Sequence, residues 1–332
     1  MLTAALNQTW PPFVLVVGLL LVGEAAADDG LFESLGAQLG RAPLSPRLLL
    51  VGLLALVAVV TAVLNLDTSV VFMTPVLVHA ARRRGVDERP FLYGAVFMSN
   101  AGSLLLPGSN LTNLLVQGGD HVGGFAFARD MLPAWLVACA LTAAFVALVY
   151  RLPAGEPAVG GPPLRLGLGA AATAAVAVLV LALPQPALPV LVVGLGVTAA
   201  RRARPRVGAP VLGILFGLTV ALGVASRAYD GPARLLGHTG RWSTAAVAAL
   251  AANLVNNLPA AVLFSAQPPP HPRALLLGLN LGPDLAVTGS LAAYLWFRAA
   301  RAAGARPSIV TYSRLGLVLA PLTLVATLPR IA

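Results

Sequence analysis

The chain has 332 residues, 58% hydrophobic and only 10% charged, where a soluble domain carries about 25% charged residues. A water-soluble fold of this length cannot hide so much apolar surface, whereas a bilayer accepts an apolar exterior, so the class is membrane protein. The net charge of +10 comes from 22 basic residues, all Arg, clustered between apolar runs as in juxtamembrane loops and not as a phosphate-gripping patch for nucleic acid.

Apolar segments long enough to cross a bilayer, about 20 residues each, predict helices near 11–27, 46–64, 90–117, 130–151, 164–183, 186–200, 209–228, 241–265, 273–300 and 310–329. Residues 68–80 form a shorter apolar piece after a polar break. The runs are continuous rather than alternating, so a β-barrel has no signal. Polar linkers such as Gly155–Pro163 and Arg201–Pro210 leave no room for a soluble domain. No basic stretch precedes the first apolar run, so a cleaved signal peptide is not expected. The expected fold is an all-α polytopic membrane protein of about ten transmembrane segments.

Two halves, 1–160 and 161–332, read as copies. Ala27-Asp28-Asp29-Gly30 through Gly36 follows an apolar run in the first, and Ala228-Tyr229-Asp230-Gly231 through Gly237 does so in the second. A polar break comes next: Asn65-Leu66-Asp67-Thr68 against Asn256-Asn257-Leu258-Pro259. Then Asn100-Ala101-Gly102-Ser103 matches Asn280-Leu281-Gly282-Pro283, and each precedes a further break, Pro107-Gly108-Ser109-Asn110 or Thr288-Gly289-Ser290. Corresponding interrupted helices in two halves point to inverted-topology repeats with re-entrant or broken helices, and to a secondary transporter with its site at the breaks.

An unwound helix at membrane depth exposes backbone groups at a cost of several kcal/mol each, tolerable where the gap lines a polar cavity. Gly102, Pro107, Gly108, Pro259, Gly282, Pro283 and Gly289 are the helix-breaking residues. Asn65, Asn100, Ser103, Ser109, Asn110, Asn113, Asn256, Asn257, Asn280, Thr288 and Ser290 supply donors and acceptors as candidate substrate ligands. Two acids fall outside the loops, Asp67 and Asp284. Such a group costs about 2.5–3.5 kcal/mol to insert, and a carboxyl that gains and loses a proton there is what a proton-coupled antiporter requires. Capping of a half-helix is the plainer role for either acid. Glu24 fits a cavity or a membrane edge. Cys139 is alone, excluding a thiol cage, and His79, His121, His238 and His271 sit at segment ends with no metal-ligand spacing, so no metal or cofactor is expected.

With these motifs assembled, the chain resembles the arsenite efflux permeases of the ArsB type, within the ion transporter superfamily of citrate, dicarboxylate and sodium–proton carriers. The resemblance rests on Asp67 through Thr74-Pro75, Ser109-Asn110-Leu111-Thr112-Asn113, Asn256-Asn257-Leu258-Pro259, and Leu281-Gly282-Pro283 with Gly289-Ser290-Leu291-Ala292. It runs from about Trp10 to the C-terminus. Family members usually carry about two further N-terminal helices, place Asn directly before the Asp where Leu66 stands here, and often have a basic residue at the position of Asp284. By the resemblance the chain is short at its start. What the resemblance implies is proton-driven efflux of arsenite or antimonite in the bacterial inner membrane, with a soluble arsenite-activated ATPase and a homodimer among the partners it allows. Carriage of Na⁺ or of a carboxylate is the rival reading, and a membrane-embedded aspartyl enzyme or an inactive homologue the remoter ones. The inverted repeat is expected to put the Arg clusters on both sides of the membrane, which leaves orientation open.

Overall fold

The computed structural model describes residues 1–118, 123–153, 160–206, 208–229 and 231–331, and every regular element among them is helical. His121, Asp230 and most of the Gly155–Pro163 linker lie outside the described residues. The chain order is α1 (Leu2–Asp28), α2 (Leu31–Arg41), α3 (Pro46–Val63), α4 (Leu66–Arg83), α5 (Arg89–Gly102), α6 (Leu111–Gln117) and α7 (Gly124–Val149). It continues through α8 (Leu168–Ala182), α9 (Ala187–Ala200), α10 (Ala209–Ala228), α11 (Gly231–Gly237), α12 (Arg241–Val255), α13 (Asn257–Phe264), α14 (Pro272–Leu281), α15 (Leu291–Ala302) and α16 (Ile309–Thr327). Leu2–Asp28, Pro46–Val63, Gly124–Val149, Pro210–Ala228 and Ile309–Arg330 are long and apolar enough to cross a membrane, and α8 and α9 are shorter apolar helices.

Three runs read above as single spans are interrupted. The 90–117 run breaks between α5 and α6, the 241–265 run at Asn256, and the 273–300 run between α14 and α15. The interruptions fall on the Asn, Gly, Pro and Ser motifs, whose side chains offer the backbone partners outside the helix. The 68–80 piece is the middle of an 18-residue helix, α4. Two short helices, α2 and α11, escape the apolar pattern because they follow the repeated Asp-Gly motif in more polar sequence.

Contacts between helix ends sort the chain onto two faces. Arg84 Nη2 donates to Leu44 O (2.5 Å), so the start of α3 and the end of α4 lie together. The two helices are therefore a re-entrant hairpin with its tip at Asn65. Arg82 Nη1 donates to Ala303 O (2.7 Å), and the Ser308 N–H donates to Tyr93 Oη (2.9 Å), which puts the end of α15 and the starts of α5 and α16 on this same first face. Asp28 and Asp29 bind Arg206 and Arg201 there, and Asp29 Oδ2 accepts from Gly169 N (2.7 Å), adding the ends of α1 and α9 and the starts of α8 and α10.

The second face is marked by Gln8. Its Nε2 donates to Leu115 O (3.0 Å) and Ser265 O (3.2 Å), and its Oε1 accepts from Arg227 Nη2 (2.5 Å), which joins the start of α1 to the ends of α6, α13 and α10. A cavity of about 530 Å³ on this face is lined by Gln117, Asp130, Arg241, Arg273 and Ile331. Gly240 and His271 line it too, so α12 and α13 form a second hairpin, rooted on the opposite face from the first.

The sense of travel is thus reversed between the halves. From α5 to α6 the chain crosses from the first face to the second, and α7 returns; from α14 to α15 it crosses back, and α16 goes the other way. Close packing repeats too. A Cβ on Gly102 would lie 3.0 Å from Ala58 Cα, and one on Gly282 would lie 2.5 Å from Ala249 Cα. Ala58 and Ala249 each stand seven residues before their hairpin's tip, Asn65 or Asn256.

This arrangement corrects the expectation for the arginines. Inverted repeats were expected to spread the clusters over both sides, yet Arg82–Arg84, Arg201–Arg206 and the Arg301–Arg306 turn all belong to first-face ends. The reason is that α4, α9 and α15 all end on the first face, each beside its Arg cluster, because α8 and α9 cross twice and leave α10 to start on the face where α7 ended.

Candidate functional site

Each break starts a half-helix whose first residue caps it. Asn65 Oδ1 accepts from Thr68 N (2.7 Å), and Asn110 Oδ1 accepts from Thr112 N (3.2 Å). Asn256 Oδ1 accepts from Leu258 N (3.3 Å), and Ser290 Oγ accepts from Ala293 N (3.3 Å). The caps satisfy one of the donors that every helix start leaves open, and the remaining N–H groups give each start a partial positive charge. Asn256 does this with φ at +77°, a backbone region that favours glycine.

Between the caps the two halves exchange amides. Asn280, at the end of α14, accepts on Oδ1 from Asn110 Nδ2 (2.7 Å) and Thr112 Oγ1 (2.8 Å), and its Nδ2 donates to Asn113 Oδ1 (2.7 Å). Asn100, at the end of α5, donates from Nδ2 to Asp284 Oδ1 (2.7 Å). So the end of each first half-helix reaches into the loop of the other half. Asn100, Asn113, Asn280 and Asp284 are all fully buried.

The loops themselves are held by side chains. Ser109 Oγ bonds Ser103 O (2.5 Å) and Leu106 O (2.6 Å), Asn113 Nδ2 donates to the same two carbonyls, and Ser103 Oγ donates to Asn100 O (2.8 Å). In the second loop Asn253 Nδ2 donates to Gly282 O (2.8 Å), Thr288 Oγ1 to Asn253 O (3.1 Å), and Asn256 Nδ2 to Thr288 O (3.3 Å). Long side chains from the full spans clamp the loop entrances: Trp135 Nε1 of α7 donates to Gly102 O (3.2 Å), and Tyr312 Oη of α16 to Pro283 O (3.0 Å).

The expected residues therefore separate. Asn110, Asn113 and Asn280 come together in one buried hydrogen-bonded set, and Asn100 and Asp284 in a second. Ser103 and Ser109 face their own loop's carbonyls, and Thr288 and Asn256 lie at the tip of the second hairpin. Asn65 caps the first tip, and Asn257 is buried beside the second with no hydrogen bond among the described residues. Asp67 sits in the first turn of α4, partly exposed, without an ion pair or hydrogen bond among the described residues. Glu24 lies at the first face, where its Oε2 accepts from Arg206 N (2.9 Å). Sequence reasoning missed Asn253, Thr112, Trp135 and Tyr312; of these Asn253, a lone amide one turn before Asn256, carried a legible signal.

Several buried polar atoms have no partner among the described residues: Asn65 Nδ2, Thr68 Oγ1, Asn100 Oδ1, Asn253 Oδ1 and Asp284 Oδ2. Buried polar groups are normally hydrogen-bonded, so donors and acceptors stand ready at the breaks for a guest that brings both. Arg and His take no part in this network. No group of His, Cys, Asp and Glu able to hold a metal is found among the described residues.

The overall shape is shared with the YdaH transporter of Alcanivorax borkumensis, at a TM-score of 0.59 and 16% identity, covering 99% of this chain and 86% of that one. An uncharacterized transporter of Mycobacterium tuberculosis is 27% identical over 145 residues, 43% of this chain and 32% of its own length. A silicon efflux transporter of Oryza sativa subsp. japonica is 25% identical over 140 residues, 42% of this chain and 29% of that protein. The matched stretch thus spans about a third of these two relatives. The profile of the citrate transporter (CitMHS) family matches residues 2–282, which takes in both hairpins, the first loop and the Asn280 end of α14. By that match over most of its length, the chain is a member of the CitMHS citrate transporter family.

Proposed function

We propose that this protein is a secondary transporter that exports a small uncharged hydroxy acid, arsenite or antimonite first among them, in exchange for protons. The observation that carries the reading is the buried centre, where amides, a carboxyl and the start of α6 meet across the two halves without a cationic side chain. Arsenite near neutral pH is an uncharged trihydroxy molecule, whose hydroxyls both donate and accept. The likeness to a silicon efflux transporter supports the same class, since silicic acid is its tetrahydroxy counterpart. In this proposal Asn65, Asn100, Asn110, Asn253 and Asn280 bind substrate, and Asp67 and Asp284 couple it to protons. Substrate displaces a proton from an embedded carboxyl, and one bundle then rocks against the other to switch access.

The halves 1–160 and 161–332 are proposed as the two repeats, supported by the reversed travel and the matched Gly102–Ala58 and Gly282–Ala249 approaches. The membrane is proposed to be the bacterial cytoplasmic membrane, with the Arg-rich first face inside. Neither a soluble ATPase nor a second copy enters this proposal.

The family's description favours a second reading, carriage of a carboxylate such as citrate. An organic anion would then sit against the half-helix N-termini of α4 and α15. Everted vesicles from a strain without its own arsenite pump separate the two. Arsenite accumulation that follows an imposed proton gradient and vanishes in Asp67→Asn is expected. Gradient-driven citrate movement without arsenite movement would overturn the first reading in favour of the second.

A further inference from the structure

Helix α4 is covered unevenly. Asp67, Val71, Pro75 and His79 follow one another at four-residue spacing, so they lie along one edge of the helix. The first three are partly exposed and His79 is exposed, while Thr68, Ser69, Val70, Met73, Thr74, Leu77 and Val78 are buried. The result is a partly covered strip, with Val71 resting against the apolar cluster around Trp296, about 18 Å long at 1.5 Å per residue and running from the first face to the carboxyl at the hairpin tip.

At the first-face end the strip opens into a cavity of about 280 Å³ between α2 and α4, lined by Glu33 and Ala37 on one side and Pro75, Val76, His79 and Arg83 on the other. The cationic residues at its mouth are already partnered. Arg83 bonds Glu33 (3.3 Å) and Arg82 bonds Glu88 (2.5 Å). The Arg83–Glu33 pair is well exposed, and pairs of that kind hold weakly. Midway along the strip Pro75 has no N–H, which frees the Val71 carbonyl one turn earlier. The strip thus carries a polar group on each turn or two: the His79 imidazole, the Val71 carbonyl and the Asp67 carboxyl.

Lipid is a poor cover for this surface. An unpartnered carboxyl facing hydrocarbon costs about 2.5–3.5 kcal/mol, and a free backbone carbonyl there adds several more. Water removes both costs. We propose that the α2–α4 crevice is an aqueous route along which hydronium, or another small cation, reaches Asp67 from the Arg-rich face. The proposal rests on the reading of Asp67 as a coupling carboxyl, but its test reads solvent access and needs no transport.

The full chain, in membrane vesicles and with Cys139→Ala as background, is given single cysteines at Val71→Cys and His79→Cys on the strip. Val78→Cys is the buried control and Val192→Cys, on the exposed apolar side of α9, the lipid control. The probe is a cationic, membrane-impermeant trimethylammonium methanethiosulfonate offered to the first face. A thiol count after denaturation confirms equal amounts of inserted protein. Both strip cysteines are expected to react at least about tenfold faster than both controls, as thiol reactivity follows exposure. Reaction of Val71→Cys only with a lipid-soluble maleimide would show that the strip faces hydrocarbon and would overturn the proposal. Failure of Val71→Cys with either reagent, while His79→Cys reacts, would close the route and overturn it equally. If Val71→Cys reacts but Asp67→Asn still couples substrate to protons, the route stands and the coupling role of Asp67 fails.

Discussion

At the level of single residues the centre is asymmetric in what each amide does. Asn280 bonds Asn110, Thr112 and Asn113, filling both lone pairs of Oδ1 and using one of the two Nδ2 hydrogens. The Asn100 side chain makes one bond, to Asp284, and its Oδ1 has no partner among the described residues. Truncating Asn280 to Ala leaves three buried groups without a partner, each costing about 1–3 kcal/mol. We expect Asn280→Ala to lower the thermal unfolding midpoint in detergent well below that of Asn100→Ala. An equal loss in the two variants would show that the Asn280 network is not what holds the loops together. Asp284→Asn preserves an acceptor for Asn100 and removes the charge. It should fold and insert at the parent level while gradient-driven transport in vesicles is abolished. Full transport by this variant would remove Asp284 from proton coupling.

Among the elements, the hairpin tips and loops are where backbone geometry sets the cost of change. Asn256 combines a cap with a left-handed φ of +77°. Asn256→Gly loses the capping side chain at a cost of about 0.3 kcal/mol and relaxes the backbone. Asn256→Ala loses the cap and keeps a strain of about 1–3 kcal/mol. Thermal unfolding should therefore rank the parent and the Gly variant above the Ala variant; Ala equal to Gly would mean that the tip relaxes freely. The second loop is also pressed from outside. A Cβ on Gly316 of α16 would lie 1.7 Å from Asp284 O, whereas one on Gly213 of α10 would meet nothing within 4 Å. Overpacking of this kind costs about 1–3 kcal/mol, and here the strain bears on the peptide that carries Asp284. Gly316→Ala should depress stability and transport together, with Gly213→Ala neutral in both assays.

The breaks themselves were legible in the sequence, because Asn65, Asn110, Asn256 and Ser290 are polar residues set in apolar runs beside Gly or Pro. Their bends were not. The 241–265 run has the length of a crossing, and nothing local distinguishes a span interrupted at Asn256 from a chain that turns back there. The reversal becomes visible only through distant contacts, such as Arg84 with Leu44 or the cavity shared by Gly240 and His271. The same holds for the clamps: Trp135 and Tyr312 look like ordinary aromatic residues of a span until the loops they bind are in place.

For the whole molecule, the crossing scheme makes a direct prediction. Cysteines placed at Arg204 and Arg306 fall on the first face, and one at His238, after α11, falls on the second. With the Arg-rich face inside, an impermeant maleimide should label His238→Cys in intact cells and reach the other two only after lysis. Labelling of Arg204→Cys and His238→Cys together in intact cells would break the scheme. On the first face Asp28 and Asp29 grip Arg206 and Arg201.

The exchange of amides across the centre has a consequence for biosynthesis. The partner of Asn100 lies 184 residues further along the chain, and that of Asn113 lies 167 residues further. At about 5–20 residues per second, the ribosome takes about 10–40 s to deliver them. Through that interval the first hairpin and its loop are already in or beside the bilayer with their central amides unmatched. The nascent protein must shelter them in water or against the insertion machinery until α14 arrives. Surveillance proteases would thus find their clearest target in chains truncated between α9 and α14, where the first half is complete in length and unfinished at its middle.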